Sequence, residues 1–496
     1  MSPFSDTDTT RCLCAAAHLD VLFRNRAIRQ LVEEHHRAAG PSPGVDEQMV
    51  VQHCLAARRR KTLRNVLITL LLLLLAPRSV SLTAQGPAGA SSLFQQLSGH
   101  DAMLHMPLFP QTWLVLTWIV VLVELWISYY GIVARGLLRR NFQPQSAPTP
   151  LFPHRIDAAP TTTDANVVIY RGYSPFVGAG LALGGWSFPV DVTKAKEGQE
   201  QQPRPLPFDL KEIYDHIDAS LLTSGDPGLD TESKLYVNGE GIRDDERFVP
   251  VKLSRPCQKV SSALINQYRE CRTERIRYYH CFRVTSWQGD LIISTFLGFA
   301  RVGKSLYTEV SHFVLPPIHG KYHRVDRLQP WPTWLNLSRL LGLSIITTVA
   351  LAYLAPIFAA YRLGRPVSLW LAERTTRREI KDNPLFDYGT DTSIRSMVSD
   401  TNYHQYLQVL DKEMYIKVVQ WQILDSVVAF LDSKNVDTSE IRQRQSMILN
   451  QGLIMSGGTI KAESLAIGKQ ATAVRDGAAR IAGQVAAAAQ TGANAA

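Results

Sequence analysis

WLVLTWIVVLVELWISYYGIV, running from Trp113 to Val133, decides the fold class. At 1.5 Å of rise per residue a helix of this length just crosses a hydrocarbon core of about 30 Å. The stretch carries a single charge, Glu124. Trp113 and Trp118 toward one end, with Tyr129 and Tyr130 toward the other, sit where amphipathic rings settle at lipid headgroups. Arg135, Arg139 and Arg140 follow at once, whereas Ser79 to Thr112 holds no Lys or Arg. The positive-inside bias therefore places the chain after this helix in the cytoplasm.

On its N-terminal side lies NVLITLLLLLLA, Asn65 to Ala76, which Leu63 and Ser79 to Leu82 lengthen past Pro77 and Arg78. Arg58, Arg59, Arg60, Lys61 and Arg64 precede it, so it reads as a first crossing near 63–82. Paired with 113–133 it makes a membrane hairpin over 61–140, with residues 77–111 as the external loop. A third apolar segment, LLGLSIITTVALAYLAPIFAAY from Leu340 to Tyr361, begins beyond Trp331 and Trp334. Lys321, Arg324, Arg327 and Arg339 precede it, while Arg362, Arg365, Arg374, Arg377, Arg378 and Lys381 follow it. Charge gives this segment no orientation. A helix broken at Pro356, dipping in and returning, keeps the C-terminal region inside, and that is the expectation taken.

The soluble stretches differ among themselves. Residues 11–39 read as one amphipathic helix closed by Gly40-Pro-Ser-Pro-Gly44, and a second helix from Asp46 runs into the first apolar segment, giving an N-terminal helical cap over 1–60. A Pro/Thr-rich linker covers 141–165. Over 166–335 the pattern turns α+β: a strand at Asn166–Tyr170, a Gly-rich hairpin to Val192, and helices at Asp209–Leu222 and Val260–Cys271. Three strands of a meander follow at Tyr278–Trp287, Asp290–Phe299 and Leu306–Leu315. The membrane segment at 336–362 separates this domain from a helical region over 363–450. There Tyr403, Tyr406, Leu407, Leu410, Met414, Val418, Trp421, Leu424, Val428 and Leu431 form one stripe at three- and four-residue steps. A helix at Ser439–Asn450 and short β-like pieces with a low-complexity tail over 451–496 complete the chain.

The stretches FRNRAIRQLVEEHHRAAGPSPGVD, VVQHCLAARRRKTLRN and FLDSKNVDTSEIRQRQSMILNQGLIMSGG resemble segments of multi-pass membrane proteins of uncharacterised activity from bacteria of high genomic GC content. The resemblance implies a bacterial inner membrane and brings no activity or catalytic motif.

Among 496 residues, 45% apolar and 20% charged, the net charge of +9 lies largely beside the apolar segments, which points to a membrane surface rather than to nucleic acid. Six thinly spread cysteines make no disulfide framework. The sharpest motif is Gly298-Phe-Ala-Arg-Val-Gly303-Lys304-Ser305, a match to the phosphate-cradling GxxxxGK[ST], in which Lys304 pairs with β/γ phosphates and Ser305 holds Mg²⁺. Such a loop must open a helix, whereas SLYTEVSHFVL alternates like a strand, so a hairpin turn is favoured over a nucleotide site. Glu124 is either a proton or cation relay, a subunit contact, or a neutral hydrogen-bonded acid that fixes helix packing, with Thr117, Ser128, Thr347 or Thr348 as partners. Gly178, Gly180, Gly184 and Gly185 have the wrong spacing for a dinucleotide fingerprint, and Asp244, Asp245 and Glu246 read as a solvated turn. Cys12, Cys14 and His18, with Glu33, Glu34, His35 and His36 further on, are set aside as metal ligands, because consecutive residues on a helix point apart.

The expected architecture is therefore membrane α-helical, with about three apolar segments, plus a cytoplasmic α+β domain with antiparallel strands and an α-helical C-terminal region. The expected function is a non-enzymatic binding or sensing protein of the plasma membrane, with its N-terminus and residues 141–335 cytoplasmic. Its partners are the lipid bilayer and either a second copy or another protein, met through the C-terminal helix. Neither cofactor nor metal is expected. The alternatives are a membrane-bound nucleotide hydrolase using Gly298, Gly303, Lys304 and Ser305, and a channel or transporter using Glu124.

Overall fold

The computed structural model describes residues 5–75, 108–138, 142, 162, 165–195, 204–223, 229–329 and 331–450. Residues 77–107 of the expected loop and the C-terminal β-like pieces lie outside the described residues, as does most of the 141–165 linker.

A six-stranded sheet holds the centre. Its strands are β1 (Val167–Tyr170), β2 (Leu181–Asp191), β3 (Leu229–Asn238), β4 (Ile276–Ser286), β5 (Leu291–Val302) and β6 (Ser305–Leu315), in the order β1-β3-β4-β5-β6-β2. The meander β4-β5-β6 follows the alternation in the sequence. Two expectations change. The sheet is mixed, because β1 pairs parallel with β3 while every other pair is antiparallel. And β1 and β2 are not a hairpin: they occupy opposite edges, joined by a segment that crosses one face of the sheet.

That crossing explains the glycines. Phe176 lies stacked on Phe296 at 4.2 Å between ring centroids, and edge-on to Tyr236 and Tyr279, covering the sheet face that Val168 and Phe313 share. To run this close to other backbone, Gly178 and Gly180 adopt φ of +80° and +92°. A Cβ on Gly180 would sit 2.1 Å from the carbonyl oxygen of Val314.

The opposite face packs on α5 (Leu210–Thr223), α6 (Ser262–Glu270, capped by the Ser261 hydroxyl) and α9 (Tyr406–Ser433). The stripe on α9 divides. Leu424, Val428 and Leu431 are buried in the sheet core, whereas Leu407, Leu410, Met414 and Trp421 are exposed.

The expected helix over 11–39 is two helices, α1 (Ser5–Leu19) and α2 (Val21–Ile28), the latter continued by a π turn (Arg29–Glu33). Asp20 makes the break, since its carboxylate accepts from the backbone of Leu22 and Phe23 at 2.8 and 3.1 Å. With the start of α3 (Glu47–Leu75), these helices form a second core that includes Val133, Ile318, Val325 and Ile394.

The apolar part of α3 packs beside α4 (Leu108–Trp126, continued by π turns through Ile127–Ala134) and α7 (Trp334–Asp382). Contacts among Ile68, Val121, Leu351 and Ala355, and a hydrogen bond from Trp118 Nε1 to Ser344 Oγ at 2.8 Å, tie the three together. The third segment is not broken: α7 is one helix of 49 residues with Pro356 and Pro366 inside it. Proline is tolerated in such a position because neighbouring helices support the backbone. Both ends of α7 nonetheless meet the same body. Before it, the Arg135 guanidinium lies 5.9 Å from the Trp331 ring; toward its end, Arg365 pairs with Glu33 and Ile380 enters the sheet core. Short α8 (Ile394–Met397) and α10 (Ser439–Asn450) complete the described chain. Among the described residues three helical stretches are long and apolar enough to cross a membrane, Thr112–Ala134, Trp334–Asp382 and Tyr406–Ser433; α3, the expected first crossing, is not one of them.

Candidate functional site

Where α3, α4 and α7 leave the helical cap, a cleft of about 1960 Å³ opens. The run Arg58-Arg59-Arg60, read in the sequence only as a topological flank, turns one face of α3 into its wall; Arg365, Glu373 and Arg377 on α7 form the facing wall. Glu33 is bracketed by Arg58, at 2.9 Å, and by Arg365. Leu63, Val66, Ile132, Leu369 and Trp370 give the cleft an apolar side.

Behind this wall runs a chain of three groups. Arg60 Nη2 donates to Nδ1 of His18, whose Nε2 lies 3.0 Å from Nδ1 of His53. A guanidinium can only donate, so His18 accepts at Nδ1 and carries its hydrogen on Nε2. His53 then accepts at Nδ1 and holds its own hydrogen on Nε2. Burial, followed by the charge of Arg60, keeps both rings neutral: His53 is brought down to about 4 and His18 lies well below the usual imidazole range. Among the described residues His53 Nε2, Arg60 Nε and Nη1, and Arg365 Nε are all buried without a hydrogen-bond partner. Every one of these orphans is a donor.

His35 and His36 also reach the cleft. Their Nε2 atoms lie 2.9 and 3.0 Å from the two oxygens of Glu373, so the expectation that consecutive residues point apart fails here. The reason is local: residues 34–36 have left the helix and form a turn. The three groups lie within metal-ligand reach of one another, as do Cys12, His323 and Asp326. Neither set suits a cation. Glu373 is already engaged by both imidazoles and by Arg377 Nε at 2.6 Å, and burial pushes the Cys12 thiol up to about 12, away from the thiolate a metal needs. Cys14 is equally buried in the helical core.

Glu124, 8% exposed, has a partner the sequence did not supply. Its Oε2 lies 3.1 Å from Arg64 Nη1 on α3, and Ser128 Oγ donates to Oε1 at 3.0 Å. Of the partners expected for it, Ser128 makes a hydrogen bond and Arg64 replaces the threonines. An acid paired across two helices locks their register.

Gly298, Gly303, Lys304 and Ser305 are elsewhere. Gly298 lies within β5, Gly303 and Lys304 form the two-residue turn to β6, and Ser305 opens that strand. Gly303 takes the positive φ of +61° that such a turn requires, and the Lys304 carbonyl accepts from Val192 N at 3.1 Å. Ser305 opens a strand, and among the described residues no helix N-terminus stands behind the loop, so the arrangement that cradles phosphates is not made here.

A family model described as an AbeC-like domain matches residues 185–461, more than half of the chain. The chain belongs to the AbeC-like family. No curated protein and no solved structure matches it. The AbeC-like domain runs from β2 through the apolar helix α7 to past α10, so it includes Arg365, Glu373 and Arg377. His18, His53 and Arg60 precede it. The cleft is thus shared between the AbeC-like domain and the chain before it.

Proposed function

We propose that this AbeC-like protein is an integral, non-enzymatic protein of a bacterial plasma membrane. The far half of α3, all of α4 and the first half of α7 lie in lipid, and the sheet and helical cap form one cytoplasmic binding body. The observation that carries this reading is where the large exposed apolar side chains fall. Leu70, Leu73 and Leu74 on α3, Val115, Ile119 and Val123 on α4, and Ile346, Val349 and Ile357 on α7 face outward from the same helical group. Apolar surface on this scale is costly in water and favourable among acyl chains. The stretch Tyr406–Ser433 meets the same length criterion, but its C-terminal half fills the sheet core, which supports keeping it with the sheet body and out of lipid. Its exposed half, Leu407 to Trp421, is the surface left for a second copy of the chain.

The test is fractionation of cells making the full chain. Retention in the membrane pellet through alkaline carbonate, with release by detergent, is the expected result; recovery in the high-speed supernatant without detergent overturns it.

A further inference from the structure

We infer that the cleft beneath the three apolar helices binds a phosphate group, held by Arg60 and Arg365 and met by the His53 imidazole. The inference rests on the membrane reading only for the source of that phosphate, the headgroup of an anionic lipid.

Charge comes first. Seven arginines and four glutamates line the cleft, so the field inside it favours an anion. Hydrogen bonding is more specific. Buried polar groups are ordinarily paired, and an orphan calls for a missing partner. Here four buried N–H groups from three side chains lack acceptors among the described residues; arginine Nε is left unpaired elsewhere too, as in Arg283 and Arg395, so the weight falls on His53 Nε2 and Arg60 Nη1, both donors. His53, 4% exposed, is fixed as a donor by the tautomer that Arg60 imposes through His18. A cation or a neutral donor leaves all four unmet. A phosphate offers several acceptor oxygens and suits the planar fork of arginine.

Shape points to an amphiphile. Leu63, Val66, Ile132, Leu369 and Trp370 lie beside the arginines in one cleft, and Leu63 stands where α3 begins to expose leucines at 63, 67 and 70. Inorganic phosphate has no use for that wall. A lipid places its phosphate on the arginines and its first methylenes on the leucines.

The test uses the full-length protein in nanodiscs of phosphatidylcholine alone or of an equal mixture with phosphatidylglycerol, with and without added inorganic phosphate. Thermal unfolding is followed by tryptophan fluorescence. Phosphatidylglycerol is expected to raise the midpoint of the wild type and to raise that of Arg60→Gln and Arg365→Gln by clearly less, and native mass spectrometry should find the wild type carrying an anionic phospholipid. Loss of one charge-assisted contact weakens the apparent affinity about tenfold. If inorganic phosphate alone gives an Arg60-dependent rise, the phosphate site stands and the lipid source falls. If neither probe shifts the wild type, or both shift the two variants as much as the wild type, the inference is overturned. Should Arg60→Gln fail to fold, Arg365→Gln and the mass spectrum of the wild type decide. A protein that needs no detergent yet binds phosphate through Arg60 refutes the membrane reading and leaves the cleft intact.

Discussion

The sheet body and the base of the apolar helices differ in what one buried guanidinium, that of Arg60, can reach. In the sheet body the guanidinium tips of the most buried arginines end on oxygen, although their Nε atoms stay unpaired: Arg283 lays both Nη atoms on Glu232 at 2.7 and 2.8 Å, and Arg395 donates to the carbonyls of Asp290 and Pro316. Next to the apolar helices, Arg60 meets only a neutral imidazole. The sheet covers its faces with α5, α6, α9 and the Phe176 crossing, whereas α3, α4 and α7 leave leucine and isoleucine outside. A region whose apolar surface is covered is finished by its own chain. One that leaves apolar side chains outside and a guanidinium tip without an oxygen is finished by its surroundings, and function is to be sought there.

The comparison breaks most visibly at the sheet core. Phe282, 1% exposed on β4, is expected to cost about 4 kcal/mol when truncated to Ala, seen as a large fall in the unfolding midpoint of the detergent-solubilised chain. A loss under about 1 kcal/mol would mean that the sheet does not carry the fold. Next is the helix lock. Arg64→Gln strands Glu124 inside the helical group and should cost about 3 kcal/mol, while adding Glu124→Gln restores most of it. Additive losses in the double variant would deny the pairing, and a change in ion flux through liposomes on Glu124→Gln would favour a relay over a lock.

Acid sharpens the contrast further. His312 accepts from Gln420 at 2.7 Å and bonds Thr295 at 2.9 Å, and burial brings it from its ordinary 6.5 down to about 4. Between those two values the unfolded chain holds a proton that the folded chain refuses, so stability is lost as pH falls and levels off below about pH 4. By pH 5 this one residue accounts for a loss on the order of 2 kcal/mol. His53 shares the direction, so His312→Gln flattens the acid limb only in part, and the remainder belongs to the cleft. An acid limb unchanged in His312→Gln would show that His312 is not held neutral.

Much of this was legible in the chain, and the gaps have physical causes. The meander was readable because β4, β5 and β6 alternate cleanly between tight turns. β3 escaped because its first half, Leu-Asp-Thr-Glu-Ser, is polar and only Leu235–Val237 is pinned between neighbours. The β1–β2 crossing escaped because a glycine-rich run reads alike whether it turns back or lies flat on a sheet. Arg58 to Arg64 read in the sequence as a basic flank, yet which of them enters the cleft and which reaches Glu124 depends on packing with α4 and α7. The two histidines on Glu373 needed contact across more than three hundred residues, which no local pattern carries.

The smallest expected effect tests the loudest motif. Lys304 sits exposed at the tip of the β5–β6 hairpin, where its charge acts only weakly, on Asp191. Lys304→Ala should change stability by less than about 0.5 kcal/mol and leave nucleotide binding where the wild type has it. Gly303 is the residue of the motif that the structure uses. Its φ of +61° suits glycine, so Gly303→Val should cost about 1 kcal/mol or more while touching no phosphate. A phosphate cradle predicts the reverse order, with the lysine decisive for binding and the glycine felt through the same loss. Fluorescent-nucleotide titration of both variants separates the two cases, because a turn needs the backbone of Gly303 and a cradle needs the charge of Lys304.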